Sequence, residues 1–172
     1  MGRSRQVLLA AIVVLAGAFA AAAGAGSGSE TFTAVIVASG ASGGRDVVAS
    51  PVLARGVFNG VGRVVEIPNQ PGDSDLVARD DLVFAGGTMH LVSVLQGASV
   101  SVDPRTCVIE VTLQQTTTVT GGTGRFSSAA GTFAATLHAR AVAARSPDGS
   151  CSQDRAPVVE VDALSLTGTL SF

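Results

Sequence analysis

The residues able to do chemistry are few and scattered. His90 and His138 each lie in a stretch of strand character with no second ligand close by in sequence. A metal site would have to be assembled from distant strands, without the short ligand spacings that mark zinc sites. No metal and no cofactor is expected. Asp80-Asp81 is a carboxylate pair, but neighbouring residues of a strand point to opposite faces and cannot act as a close dyad. Gly40-Ala41-Ser42-Gly43-Gly44 has the Gly-x-Ser-x-Gly pattern. That pattern holds a nucleophile only on a sharp turn between strand and helix. Here Arg45–Pro51 follows, which has no helical character, so the segment reads as a loop. All eleven basic residues are Arg. A Lys-bearing phosphate loop and a Schiff-base lysine are therefore excluded by composition. What remains is Arg63, Glu66, His90, Glu110 and Arg140, ionisable residues set in apolar strands. On an inward face, desolvation would displace their pKa values and suit them to acid–base work or ligand binding. On an outward face they are the ordinary solvated side of a sheet. Arg63, Glu66, His90 and Glu110 are the interior candidates, and no catalytic residue is assigned.

These residues sit in a chain that reads as strands from Glu30 onward. Glu30–Val37 is rich in β-branched residues and opens the domain. Leu53–Ile67 is interrupted by Gly56, Gly60 and Gly62. Asn59-Gly60 could make a hairpin turn, or the glycines could mark bulges; a single bent strand is preferred. Pro68–Asp75 is an exposed loop. Asp80–Ala85 and Thr88–Leu95 form a hairpin about Gly86-Gly87. The cleanest alternation of apolar and polar residues runs over Thr106–Thr120, after an Asp103-Pro104-Arg105 turn. Gly121, Gly122 and Gly124 then form a corner with one apolar plug, Phe126, and the chain returns through Gly131 along Thr132–Arg140. Leu137–Arg145 is Ala-rich enough for a helix by propensity, but its flanks favour a strand. Ser146–Ala156 is a polar loop, and Val158–Phe172 closes the chain with Leu164, Leu166, Leu170 and Phe172 on one face. Seven or eight such strands with turns between them imply a sandwich or a barrel.

The N-terminus carries Arg3 and Arg5, then the uncharged run Val7–Ala23, then small residues with several A-x-A sites. That is the pattern of an export signal. It is placed at residues 1–26, ahead of a single domain over 27–172. A retained membrane anchor is the alternative, because the run approaches the length of a span. Without Arg3 and Arg5 the chain has 9 Arg against 13 acidic residues, a formal charge of −4. That balance argues against nucleic acid and against stable association with an anionic membrane. A secreted protein is expected. Cys107 and Cys151 are the two cysteines, which in an oxidising compartment reads as one disulfide. Thr106–Thr120 and Thr132–Ala144 run antiparallel, so Cys107 and the loop holding Cys151 should lie at one end of the fold.

The corner Gly-Gly-Thr-Gly-x-Phe-x-x-Ala-x-Gly, Gly121–Gly131, resembles a signature of the allene oxide cyclase and dirigent proteins. It is closer still to small secreted actinobacterial proteins of that barrel type. Gly56–Gly62, Asp81–Thr88 and Asp103–Cys107 look like three further segments of those bacterial proteins. Ser127-Ser128 departs from the Ala-Gly common there, and the N-terminal segments that carry much of the plant enzymes' active site are not recognisable. The resemblance implies an all-β, eight-stranded antiparallel barrel and a homo-oligomer, a trimer for preference. Two functions follow as expectations. One is an exported barrel binding a hydrophobic small molecule in its lumen, or serving as a non-catalytic extracellular module. The other is a cyclase or dirigent-like enzyme that steers cyclisation or coupling of an apolar substrate.

Overall fold

The computed structural model describes residues 26–40, 43–152 and 154–172. The expected export signal up to residue 25, and Ala41 and Ser42 of the Gly-x-Ser-x-Gly segment, lie outside the described residues. Among the described residues nine strands follow one another: β1 Ser27–Ser39, β2 Asp46–Ala49, β3 Pro51–Gly56, β4 Gly60–Ile67, β5 Val77–Phe84, β6 Gly87–Asp103, β7 Val108–Gly122, β8 Ala130–Val142 and β9 Val159–Ser171. All neighbours pair antiparallel, and β9 pairs with β1 from Ser27↔Ser171 to Ser39↔Val159. That last ladder closes eight strands into a barrel. β2 is the ninth; it pairs with Val37–Ser39 of β1, above the stretch Glu30–Ala34 that pairs with β3. β2 and β3 are thus successive pieces of one wall, broken at Ser50-Pro51. At the break Val64 N–H donates to the Ser50 carbonyl at 2.8 Å, and the Ser50 hydroxyl donates to the Val64 carbonyl at 2.7 Å.

The wall is uneven in height. β6 pairs with β5 only as far as Val94↔Val77, then shifts register between Leu95 and Gly97 and continues to Asp103 against β7 alone. An extra residue in a ladder bends the strand away from its partner. The barrel is therefore closed at one end and opens at the other into a mouth with a tall side (β6 to β9 and β1) and a low side (β3 to β5).

The closed end is filled with rings. Phe32, Phe58, Phe84, Phe126, Phe133 and Phe172 come from β1, the β3–β4 turn, β5, the corner after β7, β8 and the C-terminus. They meet with centroids 5.0–6.3 Å apart. Inward-facing glycines make the room: a Cβ at Gly62 would lie 2.6 Å from the Phe84 ring, and one at Gly168 2.9 Å from that of Phe133. The corner itself is one turn of 3-10 helix, Gly124–Phe126, that drops Phe126 into the barrel with no exposure. It is tied to the β5–β6 hairpin by Arg125 N–H to the Gly86 carbonyl at 2.9 Å. Gly124 has φ +58°, and a side chain there would overlap the same carbonyl. The Arg125 guanidinium covers the plug, 5.0–5.4 Å from the centroids of Phe58, Phe126 and Phe172.

Two expectations about the strands are corrected. Leu53–Ile67 is not one bent strand but the β3–β4 hairpin, turning at Val57–Asn59. The turn is fixed from inside, because Phe58 joins the ring cluster and its N–H donates to the buried Glu30 carboxylate at 3.1 Å. Burial raises the Glu30 pKa against the backbone donors around it. The second correction is length: β6 runs on to Asp103, and β7 begins at Val108, so Asp103–Cys107 is a tight turn. Cys107 closes it in a left-handed conformation, φ +57°, its N–H donating to the Asp103 carbonyl at 2.8 Å.

Cys107 and Cys151 are bonded, with their Cα atoms 5.4 Å apart. The bridge ties the β6–β7 turn to the polar loop between β8 and β9, as expected from two antiparallel strands that start and finish at one end. Arg145 supports the same junction by donating to the carbonyls of Gly149 and Arg105.

Candidate functional site

Strand parity decides what faces the lumen. On β5, Leu82 and Phe84 are buried in the core, so Asp80 points inward and Asp81 outward. On β9, Leu164, Leu166 and Leu170 face in, and so does Asp162 two residues before them. On β4 the inward position after Val64 is Glu66. Three carboxylates from three strands therefore arrive at the open end of the barrel.

Arg45, from the β1–β2 connection, spans that end. Its guanidinium donates to Glu66 at 2.6 and 2.7 Å, to Glu160 at 3.0 Å and to Asp162 at 2.9 Å. It thereby links β4 to β9 across the inner face of β1. Burial works against the guanidinium charge, but the bonds to Glu66 and Glu160 outweigh it and hold its pKa above the ordinary value. Among the described residues, four carboxylates (Glu66, Asp80, Glu160, Asp162) thus gather about Arg45, with Arg79 of β5 a second cation at the wall of the site.

The imbalance appears in the acids. Burial pushes Asp80 up to about 6, with the charges of Glu66 and Asp81 adding to the effect and Arg45 opposing it. Burial likewise raises Asp162, with Glu160 adding and Arg45 opposing. The Asp162 side chain is 6% exposed; Oδ2 meets Arg45, whereas Oδ1 has no hydrogen-bond partner. A buried carboxylate oxygen without a donor is costly.

Beneath this rim lies a cavity of about 270 Å³. Its walls are apolar, including Ile36, Leu91, Leu113, Leu137, Leu164 and Leu166. Polar groups interrupt them: the Ser93 and Thr117 hydroxyls, 2.8 Å apart and buried, beside Gln115, and on the low side Asn69 and Arg79. The site joins a leucine-lined chamber to an acidic mouth. Two of the mouth's acids titrate near neutrality, so they can hold or give up a proton beside apolar surface.

Of the four interior candidates, only Glu66 is at the lumen. Arg63 lies on the outer face of β4, one residue before buried Val64. His90 lies between the buried, inward Met89 and Leu91, so its ring faces out, where Nδ1 meets Asp81 at 2.7 Å. Glu110 is on the outside of β7, 60% exposed, with Arg140 3.7 Å away. These three follow the polar face of their strands rather than the core. The residues the sequence reading missed are Arg45, Asp80, Glu160 and Asp162. Asp80 and Asp162 were findable, since each is in step with two core residues at i+2 and i+4. Arg45 carries no such signal, because a loop residue's reach is not periodic.

Among the described residues no group of three or more His, Cys, Asp or Glu is placed to hold a metal ion. The outer His90–Asp81 pair lines a surface depression of about 320 Å³ that shares Ile67, Arg79, Asp80 and Leu91 with the chamber, and the Arg79 guanidinium is held there by Asp73 at 2.7 and 2.8 Å. No family model matches the chain, and neither a curated protein nor a solved structure shows significant similarity to it.

Proposed function

We propose that this is an exported binding barrel whose lumen takes a small, largely apolar molecule. The observation that carries this reading is the leucine-walled chamber at the open end of a barrel whose other end is solid with phenylalanine. At about 270 Å³ it lies near the lower end of the roughly 300–1,000 Å³ range of ligand pockets. It therefore suits a compact ligand rather than a long acyl chain. Export is supported by the Arg3/Arg5 and Val7–Ala23 pattern and by the Cys107–Cys151 bond. The resemblance of the glycine corner supports the same family of barrels and, with it, a trimer. Valines exposed on the walls, such as Val100, Val159 and Val161, are available for such contacts.

Native mass spectrometry of the exported protein, followed by displacement of an apolar fluorescent dye, tests the reading. The expected result is one ligand per barrel, with dye binding abolished by Leu137→Trp, which fills the chamber from β8. Dye binding unchanged by that substitution would place the dye elsewhere and refute lumen binding.

A second reading is a cyclase or dirigent-like enzyme. One observation favours it: Asp80 and Asp162, raised by burial, stand over an apolar chamber where a proton could be delivered to a bound substrate. Turnover of an apolar cyclisation substrate that vanishes in Asp80→Asn but survives His90→Ala would support it.

A further inference from the structure

We propose that the lumen's ligand is a small organic cation, an alkyl or arylalkyl ammonium, with its head at the acidic mouth that Asp80 and Asp162 line and its apolar body against the leucines. This rests on lumen binding and names the ligand's chemistry.

Three observations carry it. First, the charged groups around the mouth and chamber among the described residues are Arg45 from the β1–β2 connection, Glu66 from β4, Arg79 and Asp80 from β5, and Glu160 and Asp162 from β9. β1, β6, β7 and β8 face it with Ile36, Ser93, Gln115, Thr117 and Leu137, none of which is charged. Four carboxylates stand against two guanidiniums, and Arg79 is itself paired with Asp73, so an anionic ligand meets net repulsion and a cation meets net attraction. Second, both cations are already committed. Arg45 directs its donors to Glu66, Glu160 and Asp162, and Arg79, beside Asp80 on β5, directs Nε and Nη2 to Asp73. Third, the acceptors are not. Asp162 Oδ1 is buried, lines the chamber and has no donor, and among the described residues none hydrogen-bonds the Asp80 carboxylate.

An ammonium group supplies three donors and a full positive charge, which the unpaired carboxylate oxygens at the mouth lack. A bare metal ion would leave the leucine walls unused, and the carboxylates are not arranged to chelate one. Binding is also linked to protons. Burial favours the protonated forms of Asp80 and Asp162, and an entering cation favours the ionised forms, so uptake should release protons near neutrality.

Calorimetric titration of the purified, disulfide-intact protein with hexylamine, hexan-1-ol and hexanoate is the test. The three probes share one tail and differ in the charge of the head. Hexylammonium should bind about tenfold or more tighter than hexan-1-ol at about pH 7.5, and hexanoate should be weakest. The hexylammonium preference should shrink severalfold at about pH 5, while hexan-1-ol binding stays constant. Asp80→Asn should remove most of the preference of hexylammonium over hexan-1-ol, with circular dichroism confirming that the variant is folded. Should that variant not fold, the three probes on the unaltered protein still decide the matter. Equal binding of alcohol and amine, or tightest binding of hexanoate, would overturn the cation assignment while lumen binding stands. If none of the three binds, the cation assignment falls, and the dye displacement above decides lumen binding separately.

Discussion

Asp80→Asn should stabilise the protein above neutral pH and leave it unchanged in acid. The Asp80 carboxyl is displaced from 3.8 to about 6, with burial as the leading cause. A folded-state pKa above the unfolded value means that the native protein holds the proton more tightly. The corresponding stability is fully present below about pH 4 and is lost as pH rises through about 6. A displacement of about two units corresponds to roughly 3 kcal/mol at about 1.4 kcal/mol per unit. The carboxylate sits at a mouth with partial solvent access, which reduces the expected gain to about 2 kcal/mol. Asparagine is nearly isosteric and never ionises, so the variant escapes the loss. The chain has no Trp and no Tyr, so urea unfolding is followed by far-ultraviolet circular dichroism rather than by intrinsic fluorescence. Comparing variant with parent at each pH cancels most of the other titrating groups. The expected difference is about 2 kcal/mol in favour of the variant at about pH 8, and near zero at about pH 4. A variant less stable than the parent at about pH 8 would refute the reasoning, because it would show that Arg45 already compensates the charge of Asp80. An equal gain at both pH values would refute it too, since the effect would then not be electrostatic.

Replacing Cys107 and Cys151 together by Ser frees a connection spanning 44 residues. It should cost up to about 4 kcal/mol in the chain-entropy account, read as a lower melting temperature. Since the bridge lies in the turns rather than in the chamber, dye binding at low temperature should persist. Phe126→Ala removes a fully buried ring in contact with Phe58, Phe84 and Phe172, and should cost about 3–5 kcal/mol in urea unfolding. A cost under about 1 kcal/mol would show that the corner closes the barrel without its plug.

The sequence by itself determined the class of fold. Period-2 runs such as Thr106–Thr120 and Leu164–Phe172 must bury one face and wet the other, and glycine-bearing turns return the chain antiparallel. The disulfide followed from the same strand directions, because residues at the start of one strand and the end of its neighbour share an end of the sheet. Parity was also enough to mark Asp80 and Asp162 as inward residues, in step with Leu82 and Phe84 and with Leu164 and Leu166, although the sequence reading passed them over. Read the same way, His90 between Met89 and Leu91 is outward, as the structure places it. Only the tertiary structure decided the rest. Six phenylalanines far apart in sequence meet at one end because barrel closure brings β1 beside β9, a pairing no local pattern encodes. The β3–β4 segment became a hairpin because Phe58 and Glu30 bind each other's surroundings from within the barrel, a contact across 28 residues. Arg45 reaches β4 and β9 together because strands distant in sequence lie a side chain's length apart around the mouth. Alternation fixes which face a residue takes. Which other faces it meets, and what charge they sum to, depends on how the sheet closes.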